Sequence, residues 1–473
     1  MIPVLLILIP LLTGLLSFVV KHQSKNIAWV SSLATLTVVL YGLAINTCNC
    51  NNNFTAEWLP SLGASFTVNL NGLGYMLCLL TAFTFPLLFL GTSSRNIGKG
   101  GNYYALMLLS QAGLMGVFVA YDGLLFYFFW ELALIPVYFL CSIWGGAKRI
   151  EATFKFFIYT FLGSLFMLIA LIYISQKASS FALADLYNVT LTAHEQYWLF
   201  ACIFAAFAVK MPIFPFHTWQ PLAYEQAPTS VTIVLSAVMV KMGLLGIIRW
   251  LIPILPQATS VASNAIIIFS IIGIVYASLL AMQQQSIKRI VAYSSIAHMG
   301  LMCAALFTRT ELGVQGVLLQ MFFHGINILG LWLVVDIIEQ KTGITQLNQL
   351  GGLAKRMPSL AIFMVVITLA NIALPLTNSF AAEFLMFTAL FQYSMWAAAT
   401  AGIGIVLSAV YSLNMVQKIF YGNTSTATAT VTDINSNEKA ALAIITLFIL
   451  VMGVYNTPLV ELTKTAVAGV LAK

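Results

Sequence analysis

Long stretches of the chain carry almost no polar side chain. Apolar runs fall at about residues 2–20, 27–45, 71–91, 103–120, 123–144, 154–175, 197–226, 229–250, 263–282, 290–308, 312–338, 359–393, 398–421 and 440–456. A helix rises about 1.5 Å per residue, so some 20 residues cross the roughly 30 Å of hydrocarbon in a bilayer. The pattern therefore predicts an all-α polytopic membrane protein with about fourteen transmembrane helices. A spanning barrel is excluded, because the runs lack strict alternation and are about twice the length a strand needs. Two polar segments, Asn46–Trp58 with CNCNNNFT and Asn423–Asn437 with NTSTATATVTDINSN, read as solvated connectors.

Runs seven and twelve are too long and are interrupted. The first contains KMPIFPFHTW, with Pro212 and Pro215; the second contains NIALPLTNSF, with Pro375. Proline removes a backbone donor and clashes with the preceding turn. In hydrocarbon the freed carbonyls need other partners, so broken helices persist only where protein or water surrounds them. Breaks five spans apart suggest two five-helix units, residues 101–250 and 251–422, after a first segment 1–100 and before a last segment 423–473. An odd number of helices per unit makes consecutive units enter from opposite faces, the inverted-repeat logic of ion transporters.

Composition agrees with a lipid solvent. Hydrophobic residues make up 60% and charged residues 7% of the 473, against about 25% charged in soluble domains. The net charge of +7 has no basic stripe interleaved with aromatics, so nucleic acid is not an expected partner. Fourteen basic residues, among them Arg95, Lys99, Lys288 and Lys341, fall in odd-numbered loops, and five, Lys177, Arg249, Arg309, Lys464 and Lys473, in even loops or the tail. The positive-inside rule then puts odd loops in the cytoplasm and both termini outside. The start, MIPVLLILIPLLTGLLSFVV, lacks a basic n-region and reads as a retained first helix. The six cysteines, Cys48 and Cys50 included, have no metal-ligand spacing, so no metal or cofactor is expected in this chain.

Few ionisable residues lie deep in the spans: Glu131, Lys210, Lys241, His298, His324 and Glu383, with His217 beside the first break. A charge at a helix centre costs roughly 2.5–3.5 kcal/mol on insertion scales. A lone buried histidine is ordinarily a packing residue, and one Glu–Lys pair can be a structural bridge. Six such groups left uncompensated would together cost on the order of 15–20 kcal/mol, more than typical net stability. They must pair or hydrate one another, and such a chain is what a proton path requires. His217 reads either as an accessory of that path or as a helix-end contact.

The segments WELALIP, FAVKMPIFPFHTWQPLAYEQAPT, LSAVMVKMGLLGIIRW, IKRIVAYSSIAHMGLM, HGINILGLWLVVDIIEQKTG, LGGLAKRMP and AEFLMF occur in this order over about residues 100–421. They resemble the antiporter-like membrane subunits of respiratory complex I. The resemblance implies fourteen helices with two inverted five-helix repeats and broken helices 7 and 12. It implies a proton path along a central hydrophilic axis, other membrane-arm subunits as partners, and a bacterial inner-membrane location. By motif, Glu131 is similar to the glutamate that pairs with the seventh-helix lysine, here Lys210. Lys241 is similar to the connecting lysine, His298 and His324 to the relay histidines, and Glu383 to the terminal carboxylate. Two positions depart from the family: Leu376 stands where a glycine usually follows the proline, and Gln340 where a basic residue is common.

The expected mechanism follows from these groups. Separation of Glu131 from Lys210 frees the lysine's proton toward Lys241, and the proton leaves by way of His298, His324 and water at Glu383. No nucleotide loop, flavin fingerprint or metal-ligand set occurs in the sequence, so the redox chemistry is expected in partner subunits. A multisubunit sodium/proton antiporter, or a membrane-bound hydrogenase arm, is the competing expectation. A solute symporter would instead need convergent donors around a midplane cavity.

Overall fold

The computed structural model describes residues 1–46, 53–95, 97–98, 100–424, 428 and 430–471. Cys48, Cys50, Lys99, Lys473 and parts of both polar connectors lie outside the described residues. The chain opens with α1 (Ile2–Val19) and α2 (Ser24–Asn46), followed by strands β1 (Asn53–Leu59) and β2 (Ala64–Asn69). Next come α3 (Gly72–Gly91), α4 (Gly100–Val119), α5 (Gly123–Trp144), α6 (Arg149–Ala178) and the short α7 (Leu183–Tyr187). The seventh run is α8 (Ala193–Lys210) and α9 (Gln220–Gln226), separated by a break. Then follow α10 (Thr229–Ile254), α11 (Pro256–Gln283), α12 (Ile287–Phe307) and α13 (Glu311–Thr342). The twelfth run is α14 (Pro358–Asn371) and α15 (Asn378–Tyr393), again broken, and α16 (Met395–Phe420), α17 (Ser436–Val454) and α18 (Thr457–Leu471) complete the chain.

Twelve of these helices are long and apolar enough to cross a membrane; the two broken runs come in addition. α10 and α13 are buried along their whole apolar windows and form the bundle's centre. Elsewhere large apolar side chains such as Leu12, Phe154, Val261 and Trp396 are exposed, as a lipid solvent or neighbouring subunits allow and water does not.

Three expectations need correction. The first polar segment is not all connector: its end is a strand, with Asn53 paired to Asn69 and Glu57 to Ser65. NFTAEWL alternates exposed and half-buried residues, the period-2 signature of a strand with one covered face, which the neighbouring asparagine run obscured. The tail beyond the last span is also a helix, α18, packed on α3 and α13. Arg249, read as a loop residue, is buried inside α10, where Nη1 donates to the Phe118 and Ala120 carbonyls. There it satisfies acceptors at the end of α4 that have no partner within their own helix.

The breaks obey one backbone pattern. Met211 N–H donates to Phe207 O, Ile213 N–H to Ala208 O and Phe216 N–H to Ile213 O. Ile372 N–H donates to Thr368 O, Leu374 N–H to Leu369 O and Thr377 N–H to Leu374 O. The offset is 161 residues throughout, and it pairs Lys210 with Asn371. Pro212 denies Ala208 O its usual donor, so Ile213 reaches back five residues instead. At the second break Ala373 and Leu376 have φ of 55° and 71°. That is the left-handed region, which explains why glycine suits the position Leu376 occupies. A Cβ on Gly453 of α17 would stand 2.2 Å from Leu376 O, so the bare glycine lets α17 back the break directly.

α10 is wound loosely on both sides of Lys241. Five-residue turns cover Val234–Met239 and Ile247–Leu251, and Val240 N–H bonds Leu235 O at 3.2 Å. Such turns mark functional sites in many helices. A Cβ on Gly243 would sit 2.8 Å from Phe207 O and 2.9 Å from Met211 Cβ. Glycine there lets α10 press against the end of α8, beside the first break.

Candidate functional site

Asp122 caps α5, accepting from the Leu124 and Leu125 N–H groups and, from β2, the Ser65 N–H. The helix then carries Trp130 and Glu131 on its third turn. Lys210 ends α8 and is 2% exposed. Its Nζ lies 5.4 Å from the Trp130 ring centroid. Neither Lys210 Nζ nor Glu131 Oε1 has a hydrogen-bond partner among the protein's described residues, and no ion pair within 4.0 Å joins the two. The expected Glu131–Lys210 pair is therefore open in this structure. The ammonium instead rests over an aromatic face, an attraction of about 2 kcal/mol when desolvated.

A second cluster lies on α10, α12, α13 and α15. Lys241, fully buried, directs Nζ at the Ser236 carbonyl and at His324 Nδ1, each at 2.9 Å. The loose turn before Lys241 leaves Ser236 O within reach. His324 and His298 face one another with ring centroids 5.2 Å apart. His298 Nδ1 is 2.8 Å from Ser294 O, and Nε2 is 3.0 Å from Asn371 O and 3.5 Å from Glu383 Oε1. Gln320 Nε2 donates to the same Glu383 oxygen at 3.1 Å. Glu383 and His298 border a small cavity of about 30 Å3 with Ile274, Gly404, Ser408 and Tyr411.

Four of the six deep groups, Lys241, His324, His298 and Glu383, thus form one contiguous set, and Glu131 and Lys210 a second set whose members do not touch. No direct contact joins the sets, although Gly243 brings their helices together. His217 lies in the break among Phe214 and Tyr276, with ring centroids at 5.8 and 5.4 Å. Its Nδ1 is buried without a hydrogen-bond partner among the described residues.

Sequence reasoning missed several participants. Gln320, His324 and Asn327 recur at four- and three-residue spacing on one face of α13, a signal that was available. Asn378 Nδ2 donates to Asn327 Oδ1 at 3.0 Å, and Asn327 Nδ2 to Ser379 Oγ at 2.9 Å, fixing the start of α15. Trp130 gave no signal beyond its place beside Glu131. At the other end of α13 buried Asp336 meets Arg95 at 2.5 Å, and Glu339 meets Lys288 at 2.7 Å and Thr229 Oγ1 at 2.9 Å. Gln340 donates to Asp336 at 2.5 Å, so the amide serves that network where the family usually has a cation.

Known proteins share this fold and sequence. Residues 120–408 match the family described as NADH:quinone oxidoreductase/Mrp antiporter, TM. The chain is 36% identical over 462 residues to the NADH-quinone oxidoreductase subunit M of Rhodobacter capsulatus, covering 94% of this chain and 90% of that protein. It is 34% identical over 481 residues to the F(420)H(2) dehydrogenase subunit M of Methanosarcina mazei, covering 98% and 97%. Its fold matches a chain of respiratory complex I from Thermus thermophilus with bound NADH at a TM-score of 0.91, with 27% identity and both chains covered in full. The chain belongs to the NADH:quinone oxidoreductase/Mrp antiporter transmembrane family.

Proposed function

We propose that this chain is a proton-translocating, antiporter-like subunit in the membrane arm of an NADH:quinone oxidoreductase of the complex I type, in a bacterial inner membrane. The observation that carries the reading is the contiguous set Lys241–His324–His298–Glu383, buried within a bundle whose outer face is apolar. Buried polar atoms without protein partners take up ordered water. Lys210 Nζ, Glu131 Oε1, His324 Nε2 and Gln320 Oε1 are such atoms, and water at them supplies the links the side chains leave open.

In this reading, closing the Glu131–Lys210 pair keeps the proton on Lys210, and opening it hands the proton through water to Lys241. His324, bonded to Lys241, passes it toward Glu383, where it leaves. Fourteen crossings, with both termini on the outer side, complete the topology. The constant offset between the two breaks supports two related five-helix units. Other membrane-arm subunits cover the exposed apolar helices, and the redox groups reside in partner subunits. A relative named for F(420)H(2) has nearly the same length, so the electron donor is set by the partners.

The test is acidification of inverted membrane vesicles driven by the assembly's own electron donor. Lys241→Ala and Glu383→Gln should leave the complex assembled while pumping per electron collapses. Undiminished pumping in both variants overturns the proposal. Purification with an antiporter assembly lacking a quinone-reducing arm would favour the sodium/proton antiporter reading instead.

A further inference from the structure

His298 makes contacts that a transit station for protons does not need. Nδ1 and Nε2 both face backbone carbonyl oxygens, Ser294 O at 2.8 Å and Asn371 O at 3.0 Å. Carbonyl oxygens accept and never donate. A neutral imidazole has one N–H and one lone pair, so one of the two contacts would set lone pair against lone pair. Only the imidazolium donates in both directions. Beyond Nε2 lies Glu383 Oε1 at 3.5 Å, the counter-charge such a cation requires.

The second acceptor exists because of the break. Asn371 O would ordinarily receive the N–H four residues on, but that residue is Pro375. The Asn371 side chain adds to the frame: Nδ2 donates to Ser294 Oγ at 3.2 Å, and Tyr411 O–H donates to that same oxygen at 3.0 Å. The other titratable groups facing His298 are His324 on α13, with Lys241 behind it on α10, and Tyr411 on α16.

We propose that His298 is a fixed imidazolium and a positioning residue for Glu383, held charged by two carbonyls, and that it does not itself carry protons in transit. The inference rests on the proton-path reading of Glu383. The moving proton then goes from His324 Nε2, which has no protein partner, through water to Glu383, with Gln320 steering the carboxylate. Pro375 serves by leaving Asn371 O free for His298.

Two readouts on the intact, reconstituted complex test this. The first is redox-driven pumping in His298→Lys and His298→Gln. Lysine keeps a charge and several donors; glutamine keeps neither the charge nor a second donor direction. A fixed cation predicts that His298→Lys retains at least about half of wild-type pumping and His298→Gln loses most of it. Equal loss in both variants overturns the proposal. The second readout is infrared spectroscopy with isotope-labelled glutamate, the Glu383 bands being assigned by their absence in Glu383→Gln. Glu383 should absorb as a carboxylate in wild type and in His298→Lys, and as a protonated carboxyl in His298→Gln. A protonated carboxyl in resting wild type overturns the ion pair. Normal pumping in Glu383→Gln would sink the proton path, while the infrared bands would still report independently on the His298–Glu383 pair.

Discussion

Lys241 Nζ stands 2.9 Å from His324 Nδ1, and no carboxylate among the described residues pairs with it. A base, not an acid, is its neighbour, so the two nitrogens share one proton. Lys241→Ala should lower pumping about a hundredfold, the scale lost when a positioned proton carrier is removed. Lys241→Arg should fail almost as badly, because a guanidinium does not release its proton. Vesicle acidification per electron transferred distinguishes these variants from uncoupled ones.

The open Glu131–Lys210 pair leaves Trp130 as the group nearest the ammonium. A double-mutant cycle of Trp130→Leu with Lys210→Met should give a coupling of about 1–2 kcal/mol, read from denaturation of the solubilised chain. Lys210→Ala and Glu131→Ala should each abolish most pumping with assembly intact. Trp130→Leu should reduce it less, since the charge partners remain.

Leu376 has a positive φ and is 72% exposed. Removing its side chain forfeits little packing and relieves about 1 kcal/mol of strain. Leu376→Gly should therefore raise the thermal midpoint and retain activity. Leu376→Val, β-branched at the same φ, should lower the midpoint.

Gly243 admits no Cβ without movement of the Phe207 carbonyl. Gly243→Ala should cost about 1–3 kcal/mol, and Gly243→Val more. The amount of chain recovered in the assembled complex reports this. Pumping by whatever Gly243→Ala complex assembles should also fall, because α10 carries Lys241.

Asp433, in the connector before α17, accepts from the Ser359 N–H at 3.0 Å and the Ile434 N–H at 2.8 Å. Burial alone would raise its pKa, but the hydrogen bonds from Ile434, Ser359 and Leu360 hold it below the usual carboxylate value. A lowered folded pKa means stability that is full above the unfolded value, about 3.9, and lost as pH falls through the folded one. Asp433→Ala should cost about 1 kcal/mol, like loss of an N-cap at α14. Its effect on the thermal midpoint should shrink on acidification.

Much of this architecture is legible in the residue pattern, because lipid imposes simple rules. Twelve of the apolar runs coincide with one helix each and the other two with a broken pair, and Pro212, Pro215 and Pro375 mark the breaks, since a missing N–H acts locally. Which deep groups meet is less legible. Glu131 and Lys210 match a familiar pairing, yet their separation depends on how α5 and α8 pack around Trp130. The roles of Ser236 O and Asn371 O belong to the backbone and leave no side-chain signature. The hairpin after α2 was hidden because Asn53 and Thr55 resemble the polar run before them, while its alternation covers only seven residues.

The 161-residue offset between the breaks pairs a lysine with an asparagine. Two breaks that share a hydrogen-bond register thus hold unlike chemistry: at Lys210 a group that can gain or lose charge, at Asn371 an amide that cannot. In the reading proposed above, one break thus presents a lysine that can load and unload a proton, and the other an exposed backbone oxygen that anchors His298.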